Sequence, residues 1–500
     1  MRLALPLLLV TTLAAPAHAA APGVTFESWS DDLFVRALAE HRFVILDLAA
    51  VWCHWCHVME ETTYRDPAVV ALVGARFVAV RADQDADPEL SRRYEDWGWP
   101  ATIVFAPDGS EIVKRRGYIP PAAMVSLLQA ILDDPSPGPS VRPEPAWRPS
   151  AATRLSPAAR RALERTFVAA FDRAHAGWGT VHKFLDPEPV ELALADPRWA
   201  PMARRTLDAA LALIDPVWGG MYQYSDAVDW RSPHFEKIMS VQAGAIELYV
   251  RAYQRWHDRR YLEAARAVAG YVTTMLSSAD GAFYVSQDAD LDATTSGHVY
   301  YAHDDRGRRA LGLPRIDRHV YARENGWAIT ALARLAAVDG EGPWRARAAK
   351  AAAWIDTRRR RPDGLYAHGE HDRGGPYLGD TLAMAEAFAA LDAVDAAGGW
   401  RALAVAALHA ADERFGAGNA ESGYVTAAAS SASGALARPS RLVDENVGIA
   451  RLATRLQAAD PTLAAVGERA MRFLTSPTLL ETRPLSPGVL VADRERAAAH

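Results

Sequence analysis

The stretch FVILDLAAVWCHWCHVMEETTY, Phe43 to Tyr64, decides the fold of the N-terminal part of this chain. Phe43 to Ala50 is an apolar run of buried-strand length, and a helix-forming segment follows through Met59 to Tyr64. Between them stand Cys53, His54, Trp55 and Cys56. A Cys-x-x-Cys at a helix start places its first sulfur among free backbone amides at the positive end of the helix dipole, which favours thiolate over thiol. Cys53 is therefore expected to be the nucleophile and Cys56 the resolving thiol. Trp52, His54 and His57 are the supporting residues: an imidazolium would stabilise the Cys53 thiolate, and a neutral imidazole would carry a proton.

The pattern downstream continues in thioredoxin order. A helix over Ala68 to Val73 and a strand over Phe77 to Arg81 lead to Trp99-Pro100, a strand Thr102 to Ala106, an Asp108-Gly109 turn, a strand Glu111 to Arg115 and a closing helix Ala122 to Leu132. Pro100 stands where a thioredoxin-like fold places a cis-proline against its disulfide, an expectation carried by that likeness because few X-Pro bonds are cis.

The chain has 500 residues and only two cysteines, so no disulfide framework exists and the pair needs a local explanation. Cys53 to His57 also spells CxxCH, the attachment pattern of c-type haem with His57 as iron ligand. Haem is disfavoured, because the preceding strand, Trp52 and the proline-strand-hairpin-helix order fit a redox fold and have no part in a haem pocket. Zinc is disfavoured because four ligands within five residues cannot comfortably surround one tetrahedral ion. A purely structural disulfide would close too small a loop to stabilise much. The expected cofactor is thus none beyond the redox-active disulfide, and the expected partners are protein thiols or disulfides.

Arg2, the apolar run Leu3 to Ala15 and the small residues Ala17 to Ala21 have the order of a secretory signal over residues 1–21, which predicts a periplasmic or secreted protein. No later run reaches the roughly 20 apolar residues of a membrane span. A net charge of −6 without a basic stripe argues against nucleic acid. Phosphate loops, dinucleotide fingerprints, nucleophile-elbow serines and HExxH helices are missing from the sequence.

Residues 22–134 form the expected thioredoxin-like domain, and the proline-dense segment 135–150 reads as a stiff linker. Residues 151–500 read as amphipathic helices in pairs, among them Ser240 to Trp256, Glu324 to Val338, Asp380 to Asp395 and Asp444 to Gln457. A glycine-aromatic phrase recurs between pairs, at Gly177-Trp178, Gly219-Gly220-Met221-Tyr222, Gly281-Ala282-Phe283, Gly364-Leu365-Tyr366 and Gly423-Tyr424. Helical-hairpin repeats produce such a recurrence, and hairpins can close into a toroid.

At these residues the sequence resembles the spermatogenesis-associated thioredoxin-domain family. The likeness is carried by CHWCHVMEETTY (53–64), the GWP segment ending at Pro100, PDGSEI (107–112), HKF (182–184), GGMYQYSDAVDWRSPHFEK (219–237) and GAFYVSQDAD (281–290). It implies an α/β thioredoxin-like domain followed by an all-α (α/α)6 barrel similar to six-hairpin glycosidases. Glycoside chemistry needs two carboxyl groups flanking a bond. The matched phrases offer Glu236, Asp288 and Asp290, with His234 beside them and Tyr222, Tyr224, Trp230 and Tyr284 as surfaces on which a glycan or sugar could stack. The same residue types also cap helices and fill helical cores. Three functions follow: a thiol-disulfide oxidoreductase whose barrel binds a partner or glycan, a carbohydrate-processing enzyme with a regulatory redox domain, and a non-catalytic binding protein.

Overall fold

The computed structural model describes residues 23–143, 145–179, 181–371, 374–416, 423–427 and 440–499. The signal-like segment 1–21 lies outside the described residues. The N-terminal domain runs β1 (Glu27–Ser28), α1 (Leu33–Glu40), β2 (Phe43–Ala49), α2 (His54–Glu61), α3 (Pro67–Arg76), β3 (Phe77–Asp83), α4 (Pro88–Arg93), β4 (Ala101–Phe105), β5 (Glu111–Arg116) and α5 (Pro121–Asp133). Its sheet has the order β1-β3-β2-β4-β5, with β2 parallel to β3 and antiparallel to β4. Alternation along β2 supplies both faces: Val44, Leu46 and Leu48 pack under α1 and α4, while Ile45 packs with residues of α2, α3 and α5. Asp47, the one acid in this run, is buried on β2, where it accepts hydrogen bonds from Tyr64 Oη and Arg81 Nε.

Segment 135–150 is tied at both ends. Gly138 N donates to Ile112 O on β5, and Trp147 stacks on Phe473 of the helical domain.

The helical domain comprises α6 (Pro157–Ala169), α7 (Pro187–Ala195), α8 (Ala200–Ala210), α9 (Met239–Trp256), α10 (Arg259–Thr274), α11 (Gly297–Tyr301), α12 (Asp305–Leu311), α13 (Ala322–Ala336), α14 (Trp344–Arg359), α15 (Leu378–Asp392), α16 (Trp400–Phe415), α17 (Val443–Leu456), α18 (Leu463–Leu474), α19 (Pro477–Thr482) and α20 (Pro487–Ala498). Among the described residues, α7, α9, α13, α15, α17 and α20 each pack on the next, and α20 returns to α7. Outside this ring, α8, α10, α14, α16, α18 and α6 each lie chiefly against one inner helix, and α10, α14 and α16 also touch the next. The result is a closed (α/α)6 toroid.

The glycine-aromatic turns have a shared physical basis. In four of the five turns, the fourth residue of an inner helix bonds the turn's backbone, while Gly177 N donates to Thr206 Oγ1 of the outer helix α8. Gln242 binds both N–H and C=O of Met221, Asn325 does the same for Phe283, Asn446 for Tyr424, and Thr381 accepts from Tyr366 N. These side chains satisfy the backbone groups that the short bridges of the buried turns leave over. The turn glycines Gly281 (φ 103°) and Gly364 (φ 80°) occupy the left-handed region that side chains disfavour.

The toroid axis is filled by charge. Arg451 bridges Glu191 and Glu495, Arg251 also binds Glu191, Arg334 binds Glu247, and Arg455 lies 3.6 Å from Glu386. Near the N-terminal ends of the inner helices, the small sheet β8 (Lys237–Ile238), β9 (Ser286–Gln287) and β10 (Ile316–Asp317) and the hairpin β6 (Tyr224–Ser225) with β7 (Pro233–His234) build a rim. The thioredoxin-like domain sits on this end.

Candidate functional site at the domain junction

Cys53 is the N-cap of α2, and its Sγ accepts the Cys56 amide at 3.2 Å. The two cysteines form a disulfide with a Cα separation of 5.3 Å. The Trp99-Pro100 peptide is cis, and Trp99 packs against the cluster of Ala50, Trp52, Cys53 and Cys56. Ile238 of β8 and Val241 of α9 join the same cluster, so the barrel covers the dithiol face. Cys53 is 4% and Cys56 7% exposed. Any client must therefore approach along the junction.

Both histidines of the motif reach across that junction. His54 Nδ1 bonds Asp290 Oδ2, and His57 Nδ1 lies 3.7 Å from Asp288 Oδ2. Asp290 is held from its other oxygen by Gly297 N at 2.7 Å, and its own amide donates to Asp288 Oδ1 at 3.1 Å. The SQDAD phrase is thus an interlocked turn at the end of β9. The bond to Asp290 raises the His54 pKa against the opposing effect of burial. Burial pushes the Asp290 carboxyl up, but His54 and the Gly297 amide carry it below the ordinary value. Burial dominates at Asp288, with Asp290 and Glu236 adding repulsion, and pushes it up to about 8. Two neighbouring carboxyls therefore differ in charge at neutral pH.

Glu236, just before β8, is buried with Oε1 3.6 Å from His234 Nδ1, while its Oε2 has no partner among the described residues. His234 stacks on Tyr224 at 4.3 Å and bonds Asp226 through Nε2 at 2.7 Å. The structure thus brings His54, His57, His234, Glu236, Asp288 and Asp290 to one rim beside the disulfide. Tyr222 and Trp230 do not join it. Tyr222 is packed among Tyr300, Tyr301 and Phe235, and Trp230 donates Nε1 to His175 O beneath the Gly177 turn. Both are interior rings, as helical cores require of large aromatics. Tyr284 is half-buried against the same barrel core.

A deeper contact escaped the sequence reading. Trp52 Nε1 donates to Asp85 Oδ2 at 2.9 Å, and His368 Nε2 bonds Asp85 O at 2.6 Å. His368 Nδ1 bonds Asp380 Oδ1 at 2.8 Å, and the same oxygen accepts Arg323 N at 2.9 Å. Arg323 in turn grips Glu324. Glu324, Asp380 and Glu445 occupy the third position of α13, α15 and α17, each one residue before the turn-binding residue. Burial lowers the His368 pKa, but Asp380 overcomes it and raises the value to about 9. Burial, with Asp83 and Glu324 nearby, holds Asp85 well above the carboxylate range. The usable signal was positional: an acid immediately preceding Asn325, Thr381 and Asn446 in three successive hairpins.

This is a thioredoxin-like redox domain seated on the N-terminal mouth of an (α/α)6 toroid. Residues 15–133 match the family model Thioredox_DsbH, described as a protein of unknown function, DUF255. Human spermatogenesis-associated protein 20 is 27% identical over 315 residues, covering 55% of this chain and 40% of its own length, so the chain spans about two fifths of that relative. Thiol:disulfide interchange protein DsbD 2 of Pseudomonas aeruginosa is 38% identical over 108 residues, 21% of this chain and 18% of that protein. Among solved structures, cellobiose 2-epimerase from Bacillus thermoamylovorans is similar with a TM-score of 0.49 at 10% identity, covering 63% of this chain and 85% of that one. A DsbH oxidoreductase is similar with a TM-score of 0.20 at 19% identity, covering 25% and 94%. The resemblance to the spermatogenesis-associated thioredoxin-domain family is supported by these sequence relatives. Among the described residues, no helix is long and apolar enough to cross a membrane and no group of histidine, cysteine and acid side chains could hold a metal ion.

Proposed function

We propose that the chain is an exported thiol-disulfide oxidoreductase whose barrel mouth binds the client, protein or glycan-bearing, beside the dithiol. The observation that carries this reading is the Cys53–Cys56 disulfide at the start of α2, packed against Trp99 and flanked by two histidines that face barrel carboxyls. In the reducing direction the Cys53 thiolate attacks a client disulfide and expels one client thiolate. Cys56 then attacks Cys53 Sγ, which releases the second client thiolate and leaves the pair oxidised by two electrons. The reverse sequence oxidises a client dithiol, and the potential of the pair sets which runs. Export is supported by the order of residues 2–21. In a disulfide-exchange assay, Cys53→Ser abolishes turnover and Cys56→Ser accumulates a mixed disulfide; equal turnover in both variants contradicts the proposal.

A second reading, carbohydrate processing at the rim, is favoured by one observation. Asp288 is held protonated to about pH 8 while Asp290 stays ionised, and Glu236 keeps a buried oxygen unpaired. Carboxyls pushed apart in this way suit acid and base roles. Sugar-dependent thermal stabilisation that disappears in Glu236→Gln and Asp288→Asn supports it, and its persistence in both argues against it.

A further inference from the structure

We propose that Asp290, a residue of the barrel domain, is a positioning residue for the dithiol: it holds His54 as the cationic neighbour of Cys53, so that the barrel sets the redox poise of the thioredoxin-like domain. The inference rests on the redox reading above and adds a cross-domain partner to it.

His54 directly follows Cys53 and opens α2, so its ring belongs to the same helix start that stabilises a thiolate. An isolated histidine there would be charged for only part of the population at neutral pH. Here Nδ1 is bonded to Asp290, and Asp290 is itself fixed by Gly297 N and by its amide bond to Asp288. The acid is therefore anchored before the histidine meets it. The other groups acting on His54 are Glu236, which favours its charge, and His234, which opposes it; on its own helix, Trp55 meets the ring edge-on and His57 is paired with Asp288. Net negative charge from the barrel side faces the first histidine of the motif. Reduction of the pair takes up two electrons and one proton when Cys53 remains a thiolate and Cys56 becomes a thiol. An imidazolium fixed on the residue that follows Cys53 stabilises that product relative to the disulfide and so raises the potential.

The test uses the full chain, with dithiothreitol redox buffers for the potential and thiolate absorbance against pH for the Cys53 pKa. Asp290→Asn keeps an oxygen for Gly297 N but removes the charge. The expected result is a Cys53 pKa higher by about one unit and a tenfold weaker oxidant, about 30 mV more negative for this two-electron couple. His54→Gln gives the same shift, Asp290→Glu restores part of it, and Asp290→Asn adds nothing in the His54→Gln background. An unchanged potential and pKa in a folded Asp290→Asn chain, or an equal shift without His54, overturns the inference while leaving the redox reading intact. Failure of the unaltered pair to be reduced at all overturns both.

Discussion

The domain junction has two kinds of contact, and they differ in exposure. At the rim, the side chain of His54 is 32% exposed and that of its partner Asp290 15%; in the deep contact, His368 is 2% and Asp380 1% exposed. Both are histidine-aspartate pairs, yet water reaches only the first. Screening keeps a partly exposed pair weak, whereas an unpaired charge in the interior is costly. The deep contact is thus the fastening of the two domains, and the rim pair is free to tune chemistry. The dithiol lies between them, linked to the deep contact through Trp52 and Asp85 and to the rim through His54 and His57.

The largest expected effect comes from breaking the fastening. Asp380→Ala strips His368 of its counter-ion and Arg323 N of its acceptor, and denaturant unfolding should show a loss of about 3–5 kcal/mol. The pH dependence follows from the direction of the shift. The proton on His368 is held more tightly in the folded chain, so its contribution is complete below the ordinary histidine range and is lost as pH rises through about 9. Melting scans should therefore show stability falling between about pH 6.5 and 9 in the unaltered chain, and the Asp380→Ala variant should lose that slope.

Asp288 gives an intermediate effect of opposite use. Its folded pKa of about 8 lies above the unfolded value, so the folded chain binds the extra proton and loses stability as pH rises between about 4 and 8. Asp288→Asn should leave the unfolding free energy unchanged near pH 4 and raise it at pH 8 by on the order of 2 kcal/mol once relaxation is allowed for. An equal change at both pH values would show that Asp288 acts by packing.

The smallest effect on stability belongs to the rim. Asp290→Asn should cost less than about 1 kcal/mol and lose most of that cost in high salt, unlike Asp380→Ala. A loss as large as that of Asp380→Ala would erase the distinction between tuning and fastening.

The parts legible in sequence were those with local period or local chemistry. The apolar run before Cys53, the Asp108-Gly109 turn and amphipathic helices such as Ser240 to Trp256 announce themselves within a window of residues. Two ring-closing helices did not. In α7, PEPVELALA, two prolines and nearly continuous burial erase the polar face, and in α20 the opening Ser-Pro-Gly reads as a turn. Inner helices touch neighbours on both sides and the axis, so amphipathic period fades where the toroid is tightest. The rim residues Glu236, Asp288 and Asp290 were found through motif phrases. Their pairing with His54 and His57 was not, because it joins residues more than 230 positions apart. Asp85, His368 and Asp380 carried no local mark beyond an acid in a helix start, which usually serves as a cap.

The most direct test of the central claim is a redox titration of the intact, folded chain in glutathione buffers, read by thiol alkylation and accompanied by an absorbance scan for haem. The account predicts one reversible two-electron transition of Cys53 and Cys56, with a midpoint in the range of about −120 to −270 mV spanned by thioredoxin-fold oxidoreductases, and Cys53 alkylated first. A pair that stays oxidised below about −300 mV, as structural disulfides do, or a haem spectrum, contradicts it.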